Sequence, residues 1–241
     1  DITGSMGQVA HLIAAGGLET LVTEIFSRKP VSDPHIAFAG IGDVLADGYP
    51  KCLQVSQFES DMIMIDQLKK LWVAGGGGGN MSESYTLLWH AALFHTRTDA
   101  YEKDGRKGFL FTFGDDGVPP DLTQDNLRAV YGRDDEIVMS NEDMLAEVSK
   151  MYHVFHINIE HDGCKLGQHL EAGWQKILGE RFLNLTDYTK LSEVIVSVMQ
   201  VVAGADKQAV VDSWQGGTGL VVKQTISGLS TVHGKSSVVR F

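Results

Sequence analysis

Three oxygen-bearing side chains alternate at the start of the chain, in the segment Asp1-Ile2-Thr3-Gly4-Ser5. Asp1, Thr3 and Ser5 can all point to one side of a tight loop in front of a predicted helix. One carboxylate and two neutral hydroxyls, with room for water, suit a hard cation of near-octahedral preference such as Mg²⁺. The same residues could instead cap the helix, because Ser and Thr are common at helix N-termini.

Other polar side chains stand where predicted strands end or where a predicted helix begins. They are Asp43, Asn80, Ser82, Glu83, Asp115 and Asp116. Asp115 and Asp116 follow the apolar run 109–113 after one glycine, Asp43 follows the apolar run 35–41 in the same way, and the others come after a run of five glycines. In an open α/β sheet, the carboxyl ends of the strands meet at one edge, where ligands bind. These side chains and Asp1 are therefore expected to converge there.

The elements that must position these residues alternate between helices and strands. Apolar periodicity predicts helices near 6–28, 60–72, 82–96, 124–130, 141–151, 165–178 and 190–202, with a further helical segment at 206–214. Short apolar runs predict strands at 35–41, 109–113, 153–160 and 181–185. This order predicts an α/β fold with a mostly parallel sheet and helices on both faces. From Gly216 onward the Gly, Ser and Thr content predicts an irregular tail with one added strand.

Composition and charge exclude several classes of partner. The chain carries 20 Lys and Arg against 31 Asp and Glu, a net charge of -11, and no basic cluster that could bind a phosphate backbone. No apolar run approaches the roughly 20 residues of a membrane-spanning helix. Cys52 and Cys164 lie far apart, which favours buried thiols over a disulfide framework or a zinc site. We therefore expect no nucleic-acid partner and no membrane partner.

The start of the sequence does not resemble a signal peptide, so the expected location is cytoplasmic. It begins at Asp1 with no preceding strand, and we expect residues upstream of it.

The residues bear on two kinds of enzyme chemistry. The glycine run resembles a phosphate-binding loop, but no Gly-Lys-Ser/Thr follows it, so the lysine that would neutralise phosphate is missing. A Mg²⁺ ion between Asp1 and Asp115 could support phosphoryl transfer. Hydrolases with an Asp nucleophile usually have a second Asp two residues later, where this chain has Thr3. The interpretation is that the chain is not an enzyme.

The motifs DITGSM and GFLFTFGDDG, with the loop GGGGGN between them, resemble those of von Willebrand factor A (VWA) domains that carry a metal-ion-dependent adhesion site. That family uses DxSxS, an oxygen ligand in a later loop, and an Asp that closes the fourth strand. Thr3 replaces the middle Ser, and Asn80 stands where the family has a Thr. The glycine loop and the sequence GIGD favour the bacterial and intracellular branch of the family.

The resemblance implies a doubly wound, Rossmann-like fold over residues 1–203, whose first strand lies upstream of residue 1. Residues 204–241 would then hold the end of the C-terminal helix and a tail rich in Gly, Ser and Thr. A circular permutation, in which the terminal segment SSVVRF supplies the missing strand, is an alternative.

The resemblance also implies a metal site and a function. The implied ligands of Mg²⁺ or Mn²⁺ are Asp1, Thr3, Ser5, Asn80 and Asp115, surrounded by Asp43, Ser82, Glu83 and Asp116. The implied function is protein binding, in which a partner's Asp or Glu carboxylate completes the coordination of the metal. An AAA+ ATPase is the partner type that intracellular relatives suggest. A structural component of a larger assembly, with a stabilising or vestigial metal site, is the alternative.

Overall fold

The computed structural model describes residues 1–61, 63–71, 73, 75–80, 82–162 and 165–230. Its strands are β1 (Ala39–Ile41), β2 (Leu53–Val55), β3 (Gly108–Gly114), β4 (Tyr152–Ile159) and β5 (Phe182–Leu185). The last three form a parallel sheet in the order β3-β4-β5, with Gly114 opposite Asn158 and Ile157 opposite Leu183. The strands predicted at 109–113, 153–160 and 181–185 are confirmed to within two residues.

The other two strands form a small antiparallel sheet, in which Gly40 pairs with Gln54. The prediction of a strand over 35–41 holds only for its last three residues, and Ile36 forms an isolated bridge with Glu59. β2 was not predicted. Its three residues run from buried to exposed and are too few to show a period.

The helices of the described part of the chain are α1 (Gly7–Leu12), α2 (Leu18–Arg28), α3 (Ile63–Leu68), α4 (Tyr85–Phe94), α5 (Asp99–Glu102), α6 (Gln124–Tyr131), α7 (Asn141–Met151), α8 (Gln168–Leu178), α9 (Leu191–Val202), α10 (Lys207–Asp212) and α11 (Thr218–Thr225). A π-helical turn, Ile13–Gly17, joins α1 to α2, so the predicted helix 6–28 is continuous but locally widened. Met62, Trp72 and Cys164, which the predictions include, lie outside the described residues.

Helices cover both faces of the parallel sheet. In β4, Phe155, Ile157 and Ile159 belong to a core shared with α1, α2, α9, α10 and α11. Tyr152 and Val154 belong to a second core, shared with α4, α6, α7 and α8. Successive side chains of a strand point to opposite faces, so β4 is buried on both sides. The expected α/β class is confirmed at this level: a three-stranded parallel sheet flanked by helices, with a small antiparallel sheet.

The expectation of an irregular C-terminal tail is wrong for the described residues, because 218–225 form α11. Val222 and Ile226 are fully buried, and α11 packs against α9 and β5. Val222, Ile226 and Leu229 do recur at helical spacing, but the Gly, Ser and Thr content of the segment favours an irregular tail when composition alone is considered. The segment SSVVRF, proposed above as an alternative strand, lies outside the described residues.

Residues 1 and 2 lie between the two sheets. The backbone nitrogen of Asp1 donates to the carbonyl of Phe113 in β3, at 3.1 Å. The amide of Ile2 donates to the carbonyl of Ile41 in β1, at 2.9 Å. The chain start is thus held against both sheets by backbone hydrogen bonds, which fixes Asp1 beside the carboxyl end of β3.

A search of the described residues for helices long and apolar enough to cross a membrane found none.

Candidate metal centre

Residues 1–5 form a loop beside the two sheets. The side chains of Asp1, Thr3 and Ser5 lie on the same side of this loop, as their spacing predicts. Asp1 is buried, and its Oδ1 accepts hydrogen bonds from the backbone N–H of Thr3 at 2.9 Å and from its hydroxyl at 2.8 Å. The Thr3 and Ser5 hydroxyl oxygens are 3.2 Å apart. The Asp1 carboxylate therefore folds the loop locally, as short Asp side chains commonly do in turns.

Asp115 meets this loop from the end of β3. The Ser5 hydroxyl donates to Asp115 Oδ1 at 2.9 Å, although the two residues are 110 positions apart. Asp1, Asp115 and the neighbouring Asp116 each offer a carboxylate oxygen within 4.8 Å of the other two. The structure thus brings together four of the predicted ligands, Asp1, Thr3, Ser5 and Asp115, and adds Asp116 to them.

Burial and neighbouring negative charges raise the pKa of two carboxyl groups at the site. Burial and the negative charge of Asp115 raise the pKa of Asp116 to about 6. Burial, with the charges of Asp116 and Asp43, raises the pKa of Glu83 to about 8. Both raised pKa values indicate that carboxyl groups are crowded together in a poorly solvated part of the site. A divalent cation among these oxygens would offset that charge.

Two contacts to the aspartates were not predicted from the sequence. The Tyr85 hydroxyl, at the start of α4, donates to Asp1 Oδ2 at 2.8 Å. His161 Nε2 lies 3.1 Å from Asp115 Oδ2. His161 follows β4 as Asp115 follows β3, so the strand-end argument could have found it. Tyr85 carried no such signal, because on an apolar helix it reads as a core residue.

The glycine run lies against the same loop. Gly75 N–H donates to the carbonyl of Ile2 at 3.1 Å, and Gly4 N–H donates to the carbonyl of Gly76 at 2.7 Å. A cavity of about 330 Å³ opens here. It is lined by Ser5, Gly76, Gly77, Gly79, Glu83 and Asp116. At Gly77, whose φ is 108°, a Cβ would lie 3.3 Å from the Thr3 Cβ. Glycine therefore lets this loop pass close to Thr3.

Asn80 and Asp43 bind each other rather than the aspartate cluster. Asn80 Nδ2 donates to Asp43 Oδ2 at 2.8 Å, and Asn80 Oδ1 accepts from the Ser82 amide at 3.2 Å. Asp43 Oδ1 accepts from the Leu45 amide at 2.8 Å. The Ser82 hydroxyl is buried and has no hydrogen-bond partner among the described residues. Of the predicted surrounding residues, Glu83 and Asp116 are thus the two that line the cavity.

The donor set fits a hard divalent cation. Carboxylate oxygens of Asp1 and Asp115 and hydroxyl oxygens of Thr3 and Ser5 are of the type that Mg²⁺ and Mn²⁺ prefer. They are already gathered by hydrogen bonds of 2.8 to 3.2 Å. The adjoining cavity provides access for water and for a ligand. The site could therefore hold such an ion without rebuilding the loop.

Comparisons of the chain with protein-family models, with curated proteins and with solved structures found no match. The assignment of a function therefore rests on the geometry of the site.

Proposed function

We propose that the chain is a metal-dependent protein-binding module of the VWA type, with an adhesion site for Mg²⁺ or Mn²⁺. The observation that carries the proposal is the hydrogen-bonded series Asp1-Thr3-Ser5-Asp115, which joins the start of the chain to the end of β3. The series unites the two most specific motifs of the sequence, and it borders a cavity.

We propose further that the two sheets belong to one doubly wound sheet. A strand that ends at residues 1 and 2 would lie between β1 and β3, in the order β2-β1-strand-β3-β4-β5. The support is that Asp1 bonds to β3 and Ile2 bonds to β1 through backbone groups. In this arrangement the site lies at the carboxyl edge of the sheet, where ligands of open α/β folds bind.

Each residue of the site has a separate task in the proposed mechanism. Asp1 and Asp115 supply negative charge, and Thr3 and Ser5 supply neutral oxygens. Tyr85 and His161 hold the two carboxylates in place through Asp1 Oδ2 and Asp115 Oδ2. A divalent cation held by these residues would supply a Lewis-acid centre for a carboxylate oxygen of the partner.

The partner that fits is a protein that presents an Asp or Glu side chain. The cavity of about 330 Å³ has room for such a side chain, and Gly76, Gly77 and Gly79 place no side chain in its way. The loops around the cavity would add specificity through shape and hydrogen bonds. An AAA+ ATPase is the kind of partner that the VWA resemblance implies.

Water-proton relaxation of the Mn²⁺-loaded chain tests the proposal. Mn²⁺ bound with exchangeable water enhances the relaxation, and displacement of that water lowers it. A short peptide with a central Glu is titrated against the same peptide with Gln. We expect a saturable decrease for the Glu peptide alone. An equal response to both peptides would contradict the carboxylate mechanism.

One observation favours the alternative of a structural component. All four carboxylate oxygens of Asp1 and Asp115 already accept hydrogen bonds or contact His161, so the site is assembled from protein groups alone. Under this alternative with a vestigial metal site, Mg²⁺ changes neither the melting temperature nor peptide binding, whereas Asp115→Ala lowers stability. Under the proposal, Mg²⁺ raises the melting temperature of the wild-type chain and has no effect on Asp115→Ala.

A further inference from the structure

A second group of potential metal ligands lies at the other end of α4. It consists of His90 in α4, His95 directly after that helix, and Glu136 in the segment between α6 and α7. One ligand atom from each residue lies within 4.8 Å of the others. His90 and His95 are five and ten residues after Tyr85, which places them about 7.5 and 15 Å from it along the helix axis. The two groups are therefore separate.

The distances in this group match those between ligands of a single ion. Glu136 Oε2 is 3.1 Å from His95 Nε2 and 3.8 Å from His90 Nε2. Tetrahedral ligands with bonds of about 2.0 to 2.1 Å to Zn²⁺ are about 3.4 Å apart. The two distances to Glu136 Oε2 bracket that value, so small movements would bring this oxygen and each histidine nitrogen to the same ion.

Neighbouring groups orient two of the three side chains. Arg133 Nε donates to Glu136 Oε1 at 2.5 Å, which leaves Oε2 directed at the histidines. His90 Nδ1 is 3.3 Å from the Tyr131 hydroxyl. If Nδ1 carries the proton and donates to Tyr131, the Nε2 lone pair is available for a metal. Partners of this kind commonly hold metal-binding His and carboxylate groups in place.

His90 Nε2 also lies 3.1 Å from the carbonyl oxygen of Ile137. With the proton on Nε2, this contact is an ordinary hydrogen bond. With the proton on Nδ1, the lone pair of Nε2 and the carbonyl oxygen face each other, and a cation between them would relieve the repulsion. The Ile137 carbonyl is therefore a further donor within reach.

We propose that His90 Nε2, His95 Nε2 and Glu136 Oε2 form a binding site for Zn²⁺ or a similar first-row transition-metal ion. Two imidazoles and one carboxylate are a typical ligand set for Zn²⁺, whereas Mg²⁺ prefers oxygen ligands alone. The His95 side chain is 27% exposed and gives the ion a path from solvent, while those of His90 and Glu136 are buried.

The protonation states suit this role. Burial lowers the pKa of His90, so its ring is neutral near pH 7 and can offer a lone pair. Burial alone would raise the pKa of Glu136, but the hydrogen bond from Arg133 and the proximity of His95 lower it below its ordinary value. The carboxylate is therefore ionised at neutral pH without the metal.

Titration of the untagged, chelator-treated full chain with Co²⁺ and then Zn²⁺ tests the proposal, in excess Mg²⁺ to saturate the oxygen site. Co²⁺ in a four-coordinate site absorbs strongly in the visible range. We expect this absorption to reach a plateau at one equivalent and to vanish when Zn²⁺ is added. Absence of the strong absorption in the folded chain would overturn the proposal.

Variants of two of the three proposed ligands test whether the absorption arises from this group. His95→Asn changes a partly exposed side chain, and Glu136→Gln keeps the volume of the carboxyl group. Each should weaken Zn²⁺ binding by at least about 10-fold. His11→Asn, on the exposed face of α1, is the matched control and should bind as the wild type does. Unchanged binding by folded His95→Asn would overturn the proposal. Loss of binding in Asp115→Ala would also overturn it, because it would assign the ion to the aspartate site.

Discussion

At the residue scale, few of the described residues hold each carboxylate of the aspartate site. The Tyr85 hydroxyl donates to Asp1 Oδ2, and Asp115 Oδ2 contacts His161. Tyr85 is fully buried beside Trp174 and His156, so its ring is fixed by packing. A hydroxyl on a fixed ring can orient a ligand without binding the metal itself.

Removal of that hydroxyl tests this role. Tyr85→Phe keeps the ring in the core but leaves Asp1 Oδ2 without its donor, and we expect Mg²⁺ to bind roughly 10-fold more weakly. Calorimetric titration measures the change. Tyr152→Phe is the matched control, because it also removes a buried hydroxyl, one that contacts Thr96 at the opposite end of the sheet. Equal Mg²⁺ affinity in the two variants would show that Tyr85 does not orient Asp1.

The raised pKa of Glu83 predicts a pH dependence of stability. Its pKa is about 8 in the folded chain against an ordinary value of 4.5, so between these values the folded state binds more protons than the unfolded state. The free energy of unfolding therefore falls as pH rises from about 4.5 to about 8. Glu83→Gln removes this titration and should stabilise the metal-free chain at pH 8, by on the order of 3 kcal/mol.

Urea denaturation of the metal-free chain at pH 5 and at pH 8 measures that effect. The difference between Glu83→Gln and the wild type should be small at pH 5 and large at pH 8. The same difference at both pH values would mean that Glu83 is ionised in the folded chain throughout this range.

At the element scale, the ends of the strands and the glycines of the loops determine where the residues of the site lie. β3 ends at Gly114, where a Cβ would lie 2.0 Å from the Tyr85 hydroxyl and 2.6 Å from Asp1 Oδ2. No other residue allows Asp1 and Tyr85 to meet at this point. The glycine is therefore as necessary to the geometry as the aspartate that follows it.

Gly114→Ala should push Asp1 away from Tyr85. We expect a loss of stability of about 1 to 3 kcal/mol from overpacking, and loss of Mg²⁺ binding. Gly173→Ala in α8 is the matched control, because there the nearest atom is at 3.6 Å, in ordinary contact. The free energy of unfolding of that variant should rise by about 0.5 to 1 kcal/mol, since Ala is the better helix former. An unchanged Mg²⁺ affinity in Gly114→Ala would contradict the claim that the site requires glycine at the end of β3.

The elements differ in how far the sequence predicts them. α7 and β4 were predicted within one residue, because a cap at Ser140 and a long apolar run mark their limits. β2 was missed because three residues show no period, and α11 was missed because the Gly, Ser and Thr content of its segment favours an irregular tail. Asp1, Thr3, Ser5 and Asp115 could be predicted from motif spacing. Tyr85 and the group His90, His95 and Glu136 could not, because their contacts depend on how α4 packs.

At the scale of the whole molecule, α4 connects the two proposed metal sites. Its first residue contacts Asp1, and His95 follows its last residue. The helix is buried along most of its length, and it packs against α7. The chain also carries a net charge of -11, which repels an acidic partner unless a cation offsets the charge locally. A bound divalent ion at the cavity would provide that offset.

Calorimetric titration of the chelator-treated full chain with Mg²⁺ and with Mn²⁺, repeated on Asp1→Ala and Asp115→Ala, tests whether the adhesion site exists. We expect saturable binding at one site in the wild-type chain and loss of that binding in both variants, each of which keeps its fold by circular dichroism. Absence of binding in the wild-type chain, or unchanged binding in either folded variant, would contradict the proposed adhesion site.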